Sequence, residues 1–210
     1  MARSQGRPDG LTHEDGTRAV ELARDSVRAF VENGRREDPG SMRDAFYDRS
    51  GAFVRLETQT PRGQLRGCAG AYDTPKALEA GSRRLGMAIV DAAIEAASED
   101  SRTAVTGPEL DSITVTVFVA ERIVETSDPT EDIVVGRDGV AVEGQGKAGW
   151  MFPTVPVDND WGVYEYLDRT ARKAGLPNDA WMDDDVGVYR IGGPVFAEND
   201  PGGSVMRRFD

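Results

Sequence analysis

The chain has one cysteine, one histidine and three lysines in 210 residues, and each scarcity removes a class of chemistry. A single cysteine, Cys68, closes no internal disulfide, so nothing points to an oxidising compartment. A single histidine, His13, stands at the edge of the first predicted helix. A Cys-His dyad, a Ser-His-Asp triad or a two-histidine metal site would all depend on that one peripheral residue. The strongest apolar run, Ile113 to Ala120, is too short to span a bilayer, and residues 1–12 are polar, with no apolar signal segment. The expectation is a soluble, cytoplasmic protein without a membrane partner. No basic run exceeds two residues, which counts against nucleic acid, because phosphate contacts need clustered Lys or Arg. An RNA-binding module would need a basic face assembled only on folding.

What the chain has in excess is acid. Its 37 Asp and Glu against 25 Lys and Arg give a net charge of −12, and the basic residues are almost all Arg, with Lys only at positions 76, 147 and 173. This balance points to a salt-loving host. In molar salt the screening length falls to roughly 3 Å, so dense carboxylates repel one another little and chiefly hold water and cations. A chain of this length buries roughly 70% of its unfolded surface, enough for one domain or two joined lobes.

Local patterns alternate between helix and strand. Thr12 with Asp15 forms a capping box, and Val20, Ala23, Val27, Phe30 and Val31 recur at helical spacing, predicting a helix from about His13 to Asn33. Ala52, Val54 and Leu56 alternate with Phe53, Arg55 and Glu57 as in a strand, and Thr60-Pro61-Arg62-Gly63 supplies a turn. Thr74-Pro75 reads as the start of a helix whose buried stripe is Leu78, Leu85, Ile89, Ala92 and Ala96. Residues 113–119 form the clearest strand. A hairpin is predicted from Ile133 to Val142 around a Gly136–Gly139 turn, with a flexible loop at 144–149 and a short strand at 150–152. Asp158 or Asp160 caps a helix that ends at Gly175, and a last strand covers 186–191. Several connections are too short for crossovers, so the fold class is α+β, mainly antiparallel sheet packed with helices.

The most informative segment is Gln64-Leu65-Arg66-Gly67-Cys68-Ala69-Gly70, read as a loop after the strand. Glycine on either side of the cysteine permits positive φ and close approach of a ligand, and a neighbouring guanidinium favours thiolate. The predicted helix start at Thr74-Pro75 would place a positive helix end a few residues beyond the sulfur. Each feature has a structural alternative. Cysteine is often a small buried hydrophobe, the glycines are turn or bulge residues, and Arg66 pairs with acids as readily as with ligands. The Asp183-Asp184-Asp185 run with Asp179 lacks EF-hand spacing and reads as solvated acidic surface.

Taken in order, Leu65-Arg66-Gly67-Cys68-x-Gly70, Asp100-Ser101-Arg102, Val135-Gly136-Arg137-Asp138-Gly139, Gly149 to Val157 with Pro153-Thr154-Val155-Pro156, Lys173-Ala174-Gly175-Leu176-Pro177 and Trp181 resemble the AMMECR domain family, archaeal type. This is the family named for the Alport syndrome, midface hypoplasia and elliptocytosis region. The resemblance spans residues 13–200, leaving a polar N-terminal tail at 1–12 and a C-terminal tail at 201–210. It implies a two-lobed α+β unit with a cleft between the lobes carrying the Arg-Gly-Cys motif, and association with Memo-like and radical-SAM proteins, with no established reaction and no cofactor or metal. Carried over by position, the site residues are Cys68 as the reacting group, with Leu65, Arg66, Gly67, Gly70, Asp100, Arg102, Pro153 and Thr154 around a small anionic ligand. The chain departs from the family pattern at Ala69, at Thr103-Ala104-Val105, at Thr154 and at Ala171 and Ala180, where many archaeal relatives carry further cysteines. Three readings follow: an accessory or modifying factor with an anion-binding cleft, a non-catalytic scaffold using the same cleft, and an RNA-binding module.

Overall fold

Two antiparallel sheets, each backed by its own helices, meet through a shared aromatic layer. The computed structural model describes residues 11–43, 46, 51–59, 64–72, 84–98 and 104–209. In the first lobe, α1 (His13–Asn33) and α2 (Leu85–Ser98) cover one face of a five-stranded sheet. Its strands are β1 (Gly51–Thr58), β2 (Gln64–Ala71), β3 (Ile113–Ala120), β8 (Val195–Glu198) and β9 (Val205–Arg207), ordered β2-β1-β3-β8-β9. In the second lobe, β4 (Arg122–Glu125), β5 (Gly139–Gly144), β6 (Lys147–Met151) and β7 (Gly187–Gly192) form a sheet ordered β4-β7-β5-β6. The helices α3 (Pro129–Asp132), α4 (Thr154–Asp158) and α5 (Val163–Lys173) belong to that lobe. Every pairing is antiparallel, as the short connections predict.

The chain passes between lobes twice, at Glu121 and at Gly193-Pro194, and the two crossings lie side by side: Val119 donates to the Pro194 carbonyl at 3.0 Å and Glu121 to that of Gly192 at 3.0 Å. Alternation within β1 divides the first lobe cleanly. Ala52, Val54 and Leu56 face α1 and α2 in the principal core, while Phe53 turns to the other face and joins Phe118, Ala141, Phe152, Tyr189, Ile191 and Val195 in a layer shared by both sheets. The second lobe has its own core around Val140, Val142, Tyr166, Leu167 and Trp181. The buried Tyr166 hydroxyl, which can donate to one acceptor at a time, lies within 3.1–3.2 Å of the Asp138, Met151 and Phe152 carbonyls, tying the turn before β5 to the segment after β6.

The first helix begins as its sequence predicts. Asp15 N donates to Thr12 Oγ1, Thr12 N donates to the Asp15 carboxylate, and Gly34 closes the helix with φ of 62°. Arg24 then fastens the helix to the sheet, forming a two-pronged ion pair with the buried Glu198 on β8 and donating to the Leu110 and Ile113 carbonyls.

Four local expectations are corrected. The Arg-Gly-Cys segment is not a loop: Gln64 to Ala71 forms β2, an edge strand paired with β1 except at Arg66, because its small residues pack beneath a helix. Residues 133–135 do not form a hairpin strand. Pro129 opens the one-turn α3, and the Asp138 carboxylate accepts from Val134 N, drawing that segment into a turn. The hairpin partner of β5 is therefore β6, with β7 on its other side, and the region read as a flexible loop is a two-residue turn, Gln145-Gly146, leading directly into β6. The helix expected to start at Asp158 or Asp160 begins instead at Val163 after Gly162, since 154–158 already form α4. The Thr74-Pro75 helix start lies outside the described residues. The described helix begins at Leu85, just after Arg84 in an isolated bridge.

Gly67 lets β2 approach α2 closely: a Cβ there would lie 1.8 Å from the Ala96 carbonyl oxygen. Gly67→Ala should therefore lower unfolding stability by about 2–3 kcal/mol, since backbone rather than a flexible tip must move. Gly107→Ala, at a site with nothing within 4 Å, should be close to neutral in the same denaturant titration.

Candidate functional site

The register between β1 and β2 decides where Cys68 points. The predicted turn at Thr60-Pro61-Arg62-Gly63 lies outside the described residues. Thr58 pairs with Gln64 and Glu57 with Leu65; beyond that the register shifts, and Leu56 pairs with Gly67, Arg55 with Cys68 and Phe53 with Gly70. Arg66 is thus the extra residue of a β-bulge. Side chains alternate faces along a strand, so one inserted residue exchanges the two faces. Without the bulge Cys68 would oppose Val54 and lie under the helices. With it, Cys68 lies opposite Arg55 and packs, half-buried, against the aromatic layer between the lobes.

Arg66 itself, 14% exposed at its side chain, donates Nε to Glu109 Oε1 at 2.6 Å. Glu109 ends the short 3-10 turn Gly107–Glu109, where its other oxygen accepts from Thr106 N and Oγ1. The hydrogen bond from Arg66, reinforced by Thr106, holds the Glu109 carboxyl down at about 2. The guanidinium expected to hold an anion beside the sulfur thus anchors the bulge to this turn. On the helix side, α2 presents the Ala96 carbonyl, close to its C-terminus, to Gly67.

The cation that shares a face with Cys68 is Arg55. Its NH1 donates to Thr154 Oγ1 at 3.1 Å, and the same nitrogen lies 3.5 Å from Asp158 Oδ2; its NH2 donates to Glu57 Oε1 at 2.6 Å. Arg55 Nε–H is buried and donates to no partner among the described residues. Thr154 begins α4 in the second lobe, so this guanidinium, 16% exposed, bridges the lobes directly opposite the cysteine. Pro153, buried, precedes it, while Leu65 shares the face of Glu57 across the bulge.

Gly70 supports the aromatic wall. A Cβ there would come within 2.3 Å of the Phe53 ring and 3.1 Å of Trp150, so a side chain would force these rings away. Phe53 meets Trp150 with ring centroids 4.4 Å apart, Tyr72 at 5.1 Å and Phe152 at 6.1 Å, and Lys173 Nζ sits 4.0 Å over Trp150. Burial, followed by Glu143 and Tyr189, pushes the Tyr72 hydroxyl up to about 12, so it stays protonated at neutral pH.

Of the residues expected from sequence, Cys68, Gly70, Pro153 and Thr154 fall at or beside this inter-lobe face, Leu65 borders it, and Arg66 and Gly67 serve the bulge and the helix side. Asp100 and Arg102 lie outside the described residues. Sequence reasoning missed Arg55, Glu57, Asp158 and Trp150. The polar alternation of Arg55 and Glu57 was visible, but only the bulge tells which residue of β2 they oppose. Among the described residues no group of three or more His, Cys, Asp or Glu is placed to hold a metal ion, and no helix is long and apolar enough to cross a membrane.

Comparison with known proteins gives one consistent answer. A family model described as AMMECR1 matches residues 20–196. The chain is similar to protein VNG_2543C of Halobacterium salinarum, with 57% identity over 195 residues covering 92% of this chain and 93% of the other. It is also similar to protein MJ0810 of Methanocaldococcus jannaschii, at 36% identity over 94% of this chain and 97% of the other. Among solved structures, the uncharacterized protein PH0010 of Pyrococcus horikoshii superposes with a TM-score of 0.81 at 33% identity, covering 94% of this chain and 98% of that one.

The Arg66–Glu109 pair makes a pH prediction. A carboxyl whose folded pKa is depressed contributes stability that is present above its ordinary value of 4.5 and is lost as pH falls through about 2. Wild-type stability should decline across that acid window. Glu109→Gln should be less stable at neutral pH and show a flatter decline between those pH values, measured by denaturant unfolding at each pH; an unchanged acid slope would contradict the pairing.

Proposed function

Because the chain belongs to the AMMECR1 family, whose named relatives here are uncharacterised, we propose from its own geometry that it is an accessory or modifying factor with Cys68 as its reacting group. The observation that carries this reading is the Arg55–Cys68 register pair, with Arg55 bridging to Thr154 of the other lobe. A half-buried thiol on a face that also carries a guanidinium is the setting in which thiolate is favoured. Aromatic rings and Gly70 shape the wall beside it, and the buried Nε–H of Arg55 is a donor left for an acceptor on a small anionic ligand. Memo-like and radical-SAM proteins are the associates that family resemblance suggests, and a cleft between the lobes, which the same resemblance implies, would be the place where they or a substrate reach the sulfur.

A second reading rests on a specific observation. Both cations flanking the motif are matched by carboxylates, Arg66 by Glu109 and Arg55 by Glu57 and Asp158, which suits a rigid docking scaffold as well as a reagent. The rate of iodoacetamide alkylation against pH, measured in high potassium chloride, separates the two. A modifying factor should show a rate midpoint well below the ordinary thiol value of roughly 8.5. A midpoint at or above it, with Cys68→Ser still retaining a Memo-like partner in a pulldown, would leave the scaffold.

A further inference from the structure

The two most exposed large apolar residues among those described are Tyr164 and Met182, each 61% exposed, and they belong to one surface. Tyr164, near the start of α5, stands edge-on to Trp181 with ring centroids 6.0 Å apart, and Met182 follows Trp181 in the 3-10 turn Ala180–Met182. Trp181 is anchored from below, its Nε1 donating to Asp168 Oδ1 of α5 at 2.7 Å. Trp161 extends the surface, half-buried under the Arg169 guanidinium at 5.0 Å, which Glu165 holds at 3.0 Å. Neither lobe's core uses the exposed faces of Tyr164 and Met182. Tyr, Trp and Met on a rigid base form the composition enriched at protein interfaces, with Met supplying adaptability.

The charge around this surface indicates its occupant. Asp179, Asp183, Asp184 and Asp185 flank Trp181 and Met182, are all exposed, and enter no ion pair among the described residues. On α1, by contrast, Glu21, Glu32 and the buried Asp15 each have an arginine partner. A second copy of the chain would set carboxylates against carboxylates, whereas a basic partner gives each aspartate a contact cation, an advantage that close pairing keeps where salt screens repulsion. We propose that this face of α5 and the Ala180–Met182 turn is a docking surface for a basic amphipathic segment of another protein, whose apolar side covers Tyr164, Trp181 and Met182 while its arginines meet the four aspartates. In concentrated salt, screened to roughly 3 Å, those aspartates act as direct contact partners rather than as a long-range attractor. Apolar cover then supplies the affinity and charge supplies the choice of partner.

The test uses the full chain in high potassium chloride and two fluorescent synthetic peptides of equal charge and length, one an Arg/Leu amphipathic helix and the other an Arg/Gln counterpart. Fluorescence anisotropy should show binding of the Arg/Leu peptide only. Tyr164→Ser with Met182→Ser should weaken it by about tenfold or more, the scale of an interface anchor, and Asp183→Asn with Asp184→Asn and Asp185→Asn should weaken it as well. All five positions are exposed, so far-UV circular dichroism should confirm an unchanged fold. Equal binding of both peptides, no binding of either, no loss in the Tyr164/Met182 variant, or concentration-dependent dimerisation through this face in sedimentation would each overturn the proposal.

Discussion

One inserted residue in β2 organises the region around the cysteine. The bulge at Arg66 exchanges the faces of the strand, sending Gly67 and Ala69 toward the helices and Cys68 and Gly70 toward the second lobe. Each of those positions then has a partner suited to its side. Gly67 accepts the backbone of α2, Ala69 joins the helix-side core, Gly70 admits the Phe53 and Trp150 rings, and Cys68 faces Arg55. The Arg66–Glu109 pair holds the bulge from outside, so a charge that a sequence motif invites one to assign to a ligand also keeps the sulfur on its face.

The two lobes are held by three kinds of contact that act at different ranges. Paired backbone crossings near Val119 and Gly192 fix their spacing, the Phe53, Phe118, Phe152 and Trp150 rings fill the space between the sheets, and Arg55 adds a polar tie to Thr154. The aromatic layer and the backbone crossings do not depend on long-range charge and so suit concentrated salt. Arg24 with Glu198 follows the same logic, being a close, largely buried two-pronged pair rather than a loose surface one.

Much of this was legible in the chain. The capping box at Thr12, the alternation of β1 and β3, the Gly175 stop and the α+β class all follow from local chemistry, because caps, period and turn residues act over a few positions. What was not legible depends on partners distant in sequence. Small residues around Cys68 look like a loop until a helix is known to lie on Gly67. Residues 133–135 look like a strand until the Asp138 carboxylate is known to accept from Val134. Arg55 and Asp158 are separated by about a hundred residues, and nothing local says that they meet opposite the thiol. The family motifs single out Arg66, whereas the strand register sets Arg55 opposite Cys68.

That reassignment is the central claim, and it is open to a direct comparison of two variants. The alkylation rate of Cys68 at neutral pH should fall by about tenfold when Arg55 is replaced by Gln, the effect of roughly one unit in thiolate availability, and change far less when Arg66 is replaced by Gln. A large loss with Arg66→Gln and an unaltered rate with Arg55→Gln, in variants that both remain folded, would contradict it.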